Sequence, residues 1–152
     1  MRITKENIHK FIENSIMDCD NKGITHIDYI PDHITHLYCY NNQLTELPKL
    51  PEKLNYLSCD DNKLTKLPIL PENLEHLNCC VNKLTELPNL PNVLKNLECD
   101  ENELTSIPKL PEFLINLYCF DNNLPYEITL DNYKEKHNKF LKRKEILSKI
   151  CV

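Results

Sequence analysis

Glycine is nearly absent from this 152-residue chain, with Gly23 its only example. Gly-rich phosphate loops and strained nucleophile elbows are excluded, because both need several glycines at fixed spacing. The shortage also speaks against many tight turns with positive φ, while ten prolines suggest repeating extended segments. Tryptophan is missing. No apolar run approaches the ~20 residues of a membrane-spanning helix. The start, MRITKENIHKFIENSI, carries charges throughout and lacks the apolar stretch of an export signal. A cytoplasmic protein with no membrane association is therefore expected. No C-x-x-C pair and no H-E-x-x-H occurs, so neither a metal nor a cofactor is expected. What remains is ordinary for one soluble domain spanning 1–152: 41% hydrophobic, 27% charged, net charge −5.

The chain is dominated by self-similarity, which decides the fold class before anything else. Cutting every twenty residues from Leu37 gives LYCYNNQLTELPKLPEKLNY, LSCDDNKLTKLPILPENLEH, LNCCVNKLTELPNLPNVLKN and LECDENELTSIPKLPEFLIN. A degenerate unit follows from Leu117 and another precedes from Met17, so six units cover 17–136. Ile34, Leu54, Leu74, Leu94 and Leu114 form one apolar column. Leu37, Leu57, Leu77, Leu97 and Leu117 form a second. A Cys follows each, then an Asn, then a Leu: the L-x-x-L-x-L-x-x-N-x-L pattern with Cys in the third apolar slot. The Leu-x-Cys alternation has period two and reads as a short strand with those side chains inward. Asn42, Asn62, Asn82, Asn102 and Asn122 are expected to form an inward ladder bonding the backbone at each bend. The first unit has Lys22 there, which predicts an irregular bend. L-P-x-L-P then returns the chain in extended form. One unit cannot bury its own leucines, so stacking must build the core. The expected architecture is a leucine-rich-repeat solenoid with a parallel sheet on its concave face and a polyproline-like convex side.

These blocks resemble the short LPx-type leucine-rich repeats of bacterial effectors such as the IpaH and YopM families. The Cys-rich version in an Asn/Lys/Ile-rich background is also similar to repeat proteins of giant DNA viruses. The resemblance implies a non-catalytic protein-binding module, placed in the host cytoplasm if the source is viral. IpaH proteins carry a separate ubiquitin-ligase domain with a catalytic Cys, and the stretch after 136 is too short for one. That activity is not carried over.

An open solenoid needs capped ends. Residues 4–16 read as an amphipathic helix with Thr4 as N-cap and Ile8, Phe11, Ile12 and Ile16 on one face, so 1–16 is expected to be a helical cap. Residues 131–152 read as a second, basic helical cap, with Asp131 as N-cap and Tyr133, His137, Phe140, Leu141, Leu147 and Ile150 as an apolar stripe. Seven basic residues (Lys134, Lys136, Lys139, Lys142, Arg143, Lys144, Lys149) face three acidic ones there. A basic helix can serve membranes or nucleic acid, but the acidic body argues against a nucleic-acid partner.

Cys19, Cys39, Cys59, Cys79, Cys99 and Cys119 recur once per repeat. Parallel strands in register keep their Cβ vectors from converging, so no disulfide is expected and the column reads as small core hydrophobes. Cys80 points out of the concave face, where Asp60 and Asp100 should raise rather than lower its pKa. Cys151 is an incidental thiol near the chain end. His36 and His76 share a column with Tyr56 between them, too far apart for an easy shared metal.

The functional surface is expected on the outward strand positions, which vary while the core is uniform. Tyr38, Tyr40, Tyr56, Asp60, His76, Glu98, Asp100, Tyr118 and Phe120 are the candidate partner-binding residues. Exposed tyrosines on a rigid sheet suit a protein–protein hot spot, and the acidic charge predicts a basic patch on the partner. No small-molecule substrate is implied. Two other readings stay open: self-assembly through concave faces or ends, and an adaptor working through the basic C-terminal helix.

Overall fold

The computed structural model describes residues 1–133, 135 and 138–150, with the side chains of residues 138, 140, 141, 144 and 150 outside the description. The expectations for Lys134, Lys136, His137 and Cys151, and for the side chains of Phe140, Leu141, Lys144 and Ile150, lie outside it.

Six strands carry the repeat. They are β3 (Ile16–Asp18), β5 (His36–Tyr38), β6 (Tyr56–Ser58), β7 (His76–Asn78), β8 (Asn96–Glu98) and β9 (Asn116–Tyr118). Each pairs in parallel with the next at a twenty-residue offset, as in Leu57 beside Leu77. The strands are short because one inward leucine per strand suffices when neighbours supply the rest of the core. Met17, Leu37, Leu57 and Leu97 are fully enclosed, as are Ile34, Leu54, Leu74 and Leu94 of the other column. This is the stacked core that the repeat pattern predicts. The return segments of the second to fifth units contain neither helix nor strand. Each ends in a turn in which a proline carbonyl accepts the N–H three residues on, as Pro51 does from Leu54 at 3.0 Å.

The bends explain how a chain with one glycine turns so often. Asn21, Asn41, Asp61, Val81, Glu101 and Asp121, one per repeat, adopt φ between 49° and 55°. The expectation that scarce glycine means few left-handed turns is thus overturned. The turn is enforced from outside by the asparagine that follows each of these residues from Asn41 onward. In the first unit, where Lys22 replaces that asparagine, Gly23 (φ 61°) supplies a second left-handed residue.

The N-terminal cap is not the helix expected over 4–16. β1 (Arg2–Ile3) pairs in parallel with β4 (His26–Ile27). A single 3₁₀ turn spans Ile8–Phe11. β2 (Ile12–Glu13) then forms an antiparallel hairpin with β3. Thr4 caps no α-helix, and Ile16 is exposed rather than packed. The physical reason is Asn14, whose φ of 56° closes the hairpin and is incompatible with a helix continuing through it. Ile8, Ile12 and Ile16 fit helical spacing, yet the β-branched Ile12 and Ile16 are equally suited to strands.

At the other end, α1 (Leu130–Asn132) is a single turn. Thr129, not Asp131, is its N-cap, accepting from Asn132 N while the Asn132 side chain accepts from Thr129 N at 3.0 Å. Tyr133 is buried and its hydroxyl accepts the Leu110 N–H at 2.6 Å. α2 (Asn138–Ile150) is helical as expected, but Leu147 is 61% exposed and does not join a packed stripe.

Candidate interaction surface

The concave face is ordered from beneath by the asparagine column. Asn62 Nδ2 donates to the carbonyls of Cys39, Cys59 and Asp60 at 2.9, 3.2 and 3.1 Å, while its Oδ1 accepts the Leu44 N–H at 2.9 Å. Asn42, Asn82, Asn102 and Asn122 repeat the donor set. Each side chain therefore joins two turns of the solenoid, which fixes the spacing of everything mounted on the sheet.

The cysteine column is buried and unbridged, as the register requires. It also does more than fill space. Each thiol donates to a carbonyl of the next unit: Cys19 to Tyr38, Cys39 to Ser58, Cys59 to Asn78, Cys79 to Glu98 and Cys99 to Tyr118, at 3.3–3.5 Å. Cys119 donates to Ile128 at 3.3 Å. Burial drives these thiols far above their ordinary pKa, so they hold their protons and act as donors.

On the outer face, in-register stacking places aromatic rings over one another. The His36 and Tyr56 rings lie 5.8 Å apart and 16° from parallel. Tyr56 and His76 follow at 5.5 Å. Tyr38 leans on Tyr56 at 5.1 Å. The column continues by hydrogen bonding where the rings stop: Asn96 Nδ2 meets His76 Nδ1 at 2.6 Å, and Asn116 Nδ2 donates to Asn96 Oδ1 at 2.5 Å. These side chains are half-buried by one another, apart from Asn116 at the end, which is exposed. Tyr56 has a ring on either side, so the stack holds its members in place at fixed spacing.

Beside the rings runs a row of carboxylates. Asp20 Oδ1 accepts the Tyr40 N–H at 2.7 Å, Asp100 Oδ1 accepts the Phe120 N–H at 2.6 Å, and Ser58 Oγ donates to Asp60 at 2.6 Å. Partial burial, aided by the charges of Asp18 and Asp60, pushes the Asp20 carboxyl up to about 6 against the opposing Tyr40 hydrogen bond. Burial and then Asp100 and Asp60 raise Glu98 likewise. Cys80 donates from Sγ to Asp100 Oδ2 at 3.8 Å. Its pKa rises to about 12, chiefly by burial, with Asp100, Glu98 and Asp60 adding against a hydrogen bond at Asp100. A thiol so held is a poor nucleophile.

The nine candidate residues thus fall into two groups. Tyr38, Tyr56, His76 and Asp60 share one patch on β5–β7 and the bends that follow, with Tyr40, Glu98 and Asp100 on its margins. Tyr118 and Phe120 sit at the far end, about 19 Å from Tyr38 by strand spacing. His36, Asp18 and Asp20 complete the first group but were not among the candidates. The signal for His36 was its shared column with Tyr56 and His76. That for Asp20 was its shared column with Asp60 and Asp100. Among the described residues no cluster of three metal-ligating side chains occurs. No helix there is long and apolar enough to cross a membrane.

A parallel sheet built from twenty-residue turns, an asparagine ladder and an extended convex return define a leucine-rich-repeat protein of the short-repeat type. Among solved structures, the chain is similar to the repeat domain of a Shigella effector, at 36% identity and a TM-score of 0.74, over 84% of this chain and 57% of that one. It is also similar to YopM from Yersinia enterocolitica WA-314 (34% identity, TM-score 0.71, 75% of this chain and 26% of that one). YopM from Yersinia pestis, described as a leucine-rich effector protein, matches at 37% identity and a TM-score of 0.70, over 72% of this chain and 32% of that one. The chain spans between about a quarter and somewhat over half of these structures. No protein-family model matches it, and no curated protein does.

Proposed function

We propose that the chain is a non-catalytic protein-interaction module whose concave face binds a partner bearing a basic patch. The observation that carries this is the joint placement of the His36–Tyr56–His76 stack with Tyr38 and the carboxylates of Asp20 and Asp60 on one rigid sheet. Tyrosine rings offer contact area at little entropic cost, and arginine or lysine of a partner gains aromatic contact beside carboxylates. The raised Asp20 and Glu98 carboxyls favour a cation beside them, because a positive neighbour offsets the burial and the like charges that lift them. The likeness to effector repeat domains supports a role in binding proteins rather than in catalysis. A reducing compartment such as the cytoplasm, the host's if the source is a virus, suits six thiols that serve as hydrogen-bond donors.

The test is affinity capture from cytosolic extract with the wild type and the Tyr38→Ala/Tyr56→Ala/Tyr118→Ala variant, both checked for an unchanged melting profile. Loss of a basic partner in the variant is expected. An identical set of captured proteins would refute concave-face binding.

A further inference from the structure

The carboxylates of the concave face do not follow the repeat of the fold. The residues on either side of the core cysteine are Asp18 and Asp20 in the first unit, Ser58 and Asp60 in the third, and Glu98 and Asp100 in the fifth. In the second, fourth and sixth units the same positions hold Tyr38 and Tyr40, Asn78 and Cys80, and Tyr118 and Phe120, with no carboxylate among them. Acid therefore recurs every second turn of a solenoid whose core recurs every turn. The core does not ask for this alternation, since Leu37, Leu57, Leu77 and Leu97 are enclosed alike beneath it.

The in-register pairing turns the alternation into a distance. β3, β5, β6, β7 and β8 stack in sequence order. Asp20, Asp60 and Asp100 thus stand two strand spacings apart, about 9.6 Å at each step and about 19 Å in all. Each is held by its Oδ1, which accepts from Tyr40 N–H at 2.7 Å, Ser58 Oγ at 2.6 Å and Phe120 N–H at 2.6 Å respectively. No described residue bonds the Oδ2 of Asp20 or Asp60, and that of Asp100 meets only the Cys80 thiol, at 3.8 Å. Pinning one oxygen fixes where the other points. Between the first two carboxylates stands Tyr40, 37% exposed.

An extended segment lying along this row must bring a cation to one side at the same interval. A β-strand returns to one side every second residue, at about 6.7 Å and then about 13 Å. An α-helix returns after seven residues, about 10.5 Å, and overshoots the row by about 2 Å. A polyproline II helix returns after three residues, about 9.3 Å, and keeps within about 1 Å over the whole row. Its backbone makes no internal hydrogen bonds, and its proline rings suit a face lined with aromatics.

We infer that the partner segment this face takes is a polyproline II stretch with a basic residue at every third position. Its cations sit on Asp20, Asp60 and Asp100, and its prolines pass over Tyr40 and beside Tyr38. The inference rests on concave-face binding and adds the conformation and register of what is bound.

Fluorescence anisotropy with the full chain tests it at low ionic strength, where exposed ion pairs are least screened. The probe is a labelled peptide with Pro-Pro-Arg three times over between Pro-Pro ends. The control has the same residues with its three arginines adjacent, so that only one of them can face the row. The spaced peptide is expected to bind about tenfold more tightly, because each exposed pair is weak and the control forfeits two of three. Asp20→Asn/Asp60→Asn/Asp100→Asn keeps the three Oδ1 acceptors and should abolish the preference. Asp60→Asn/Cys80→Asp moves the central carboxylate by one turn at constant charge, and should cut the preference by about threefold or more. Equal binding of the two peptides, no binding of either, or a preference unchanged by moving that carboxylate would overturn the inference. So would tighter binding of a helical peptide with arginine at every seventh residue. Capture of a protein partner that depends on Tyr38 and Tyr56 would keep the concave-face reading in any of those cases. Peptides that bind the Tyr38→Ala/Tyr56→Ala protein as tightly as wild type would overturn both.

Discussion

Asn62 and Leu44 lie eighteen residues apart in sequence, yet the Asn62 Oδ1 accepts the Leu44 N–H at 2.9 Å. The same side chain closes three carbonyls, two in its own bend and one in the preceding turn. Replacing it strands four backbone groups that are largely shielded from water. Asn62→Leu is expected to lower stability by about 3 kcal/mol, since a stranded buried group costs about 1–3 kcal/mol and edge water recovers part. Denaturant unfolding measures it. A loss no larger than that of an ordinary surface substitution would show that the ladder is not what ties adjacent turns together.

Val81 is the one β-branched residue among the left-handed bend positions, with φ 51°. Its neighbours in the column are asparagine, aspartate and glutamate. An L residue in this region carries about 1–2 kcal/mol of steric cost, greater for a branched side chain and smaller for asparagine. The side chain is exposed, so its loss leaves no cavity. Val81→Asn should therefore raise stability by about 1 kcal/mol, seen as a higher melting temperature. An unchanged or lower temperature would refute a strained bend at this position.

Cys80 and the buried thiols separate two roles of cysteine. Cys59 donates to Asn78 O at 3.5 Å and is fully enclosed, so Cys59→Ala loses both a weak bond and packed volume. A cost of about 1–2 kcal/mol follows from a small buried truncation. Cys80, half-exposed and held near pKa 12, should alkylate at pH 8 at least about tenfold more slowly than a free model thiol, because the thiolate is the reacting form. Denaturant unfolding measures the first, and native labelling with mass mapping the second. Labelling of Cys80 at the model-thiol rate would contradict the shift.

The repeat was legible because each column does one job. Leucine at 37, 57, 77, 97 and 117, with Cys two residues on and Asn three beyond that, leaves no other arrangement that buries them all. The ends were less so, since nothing repeats there to average over. Ile8, Ile12 and Ile16 satisfy a helix and a hairpin alike, and only the conformation of Asn14 decides between them. The bend conformation was hidden because glycine, its usual sign, is missing, and the asparagine beside each bend from the second unit onward enforces it instead. For the surface, the columns of His36, Tyr56 and His76 could be read directly. Whether the rings stack or splay depends on side-chain torsions, which strand spacing does not determine.

Asp20 makes stability depend on pH in an unusual sense. Its carboxyl rises from an ordinary 3.8 to about 6 in the folded chain, first through burial and then through Asp18 and Asp60, with Lys22 and the Tyr40 N–H opposing. Between about pH 4 and 6 the folded state therefore holds a proton that the unfolded state has released. Stability contributed by this group is complete below pH 4 and is lost as pH rises through the folded value. Asp20→Asn keeps an acceptor for the Tyr40 N–H and removes the charge. It should therefore be more stable than wild type at pH 7 and show no advantage at pH 4. Solvent screening at this partly exposed site limits the gain to less than about 1 kcal/mol. Unfolding curves of the two proteins across that range test the sign. A variant less stable than wild type at pH 7 would mean that the Asp20 charge is favourable in place, and the carboxylate row would then be part of the scaffold rather than a surface strained in the absence of a cationic partner.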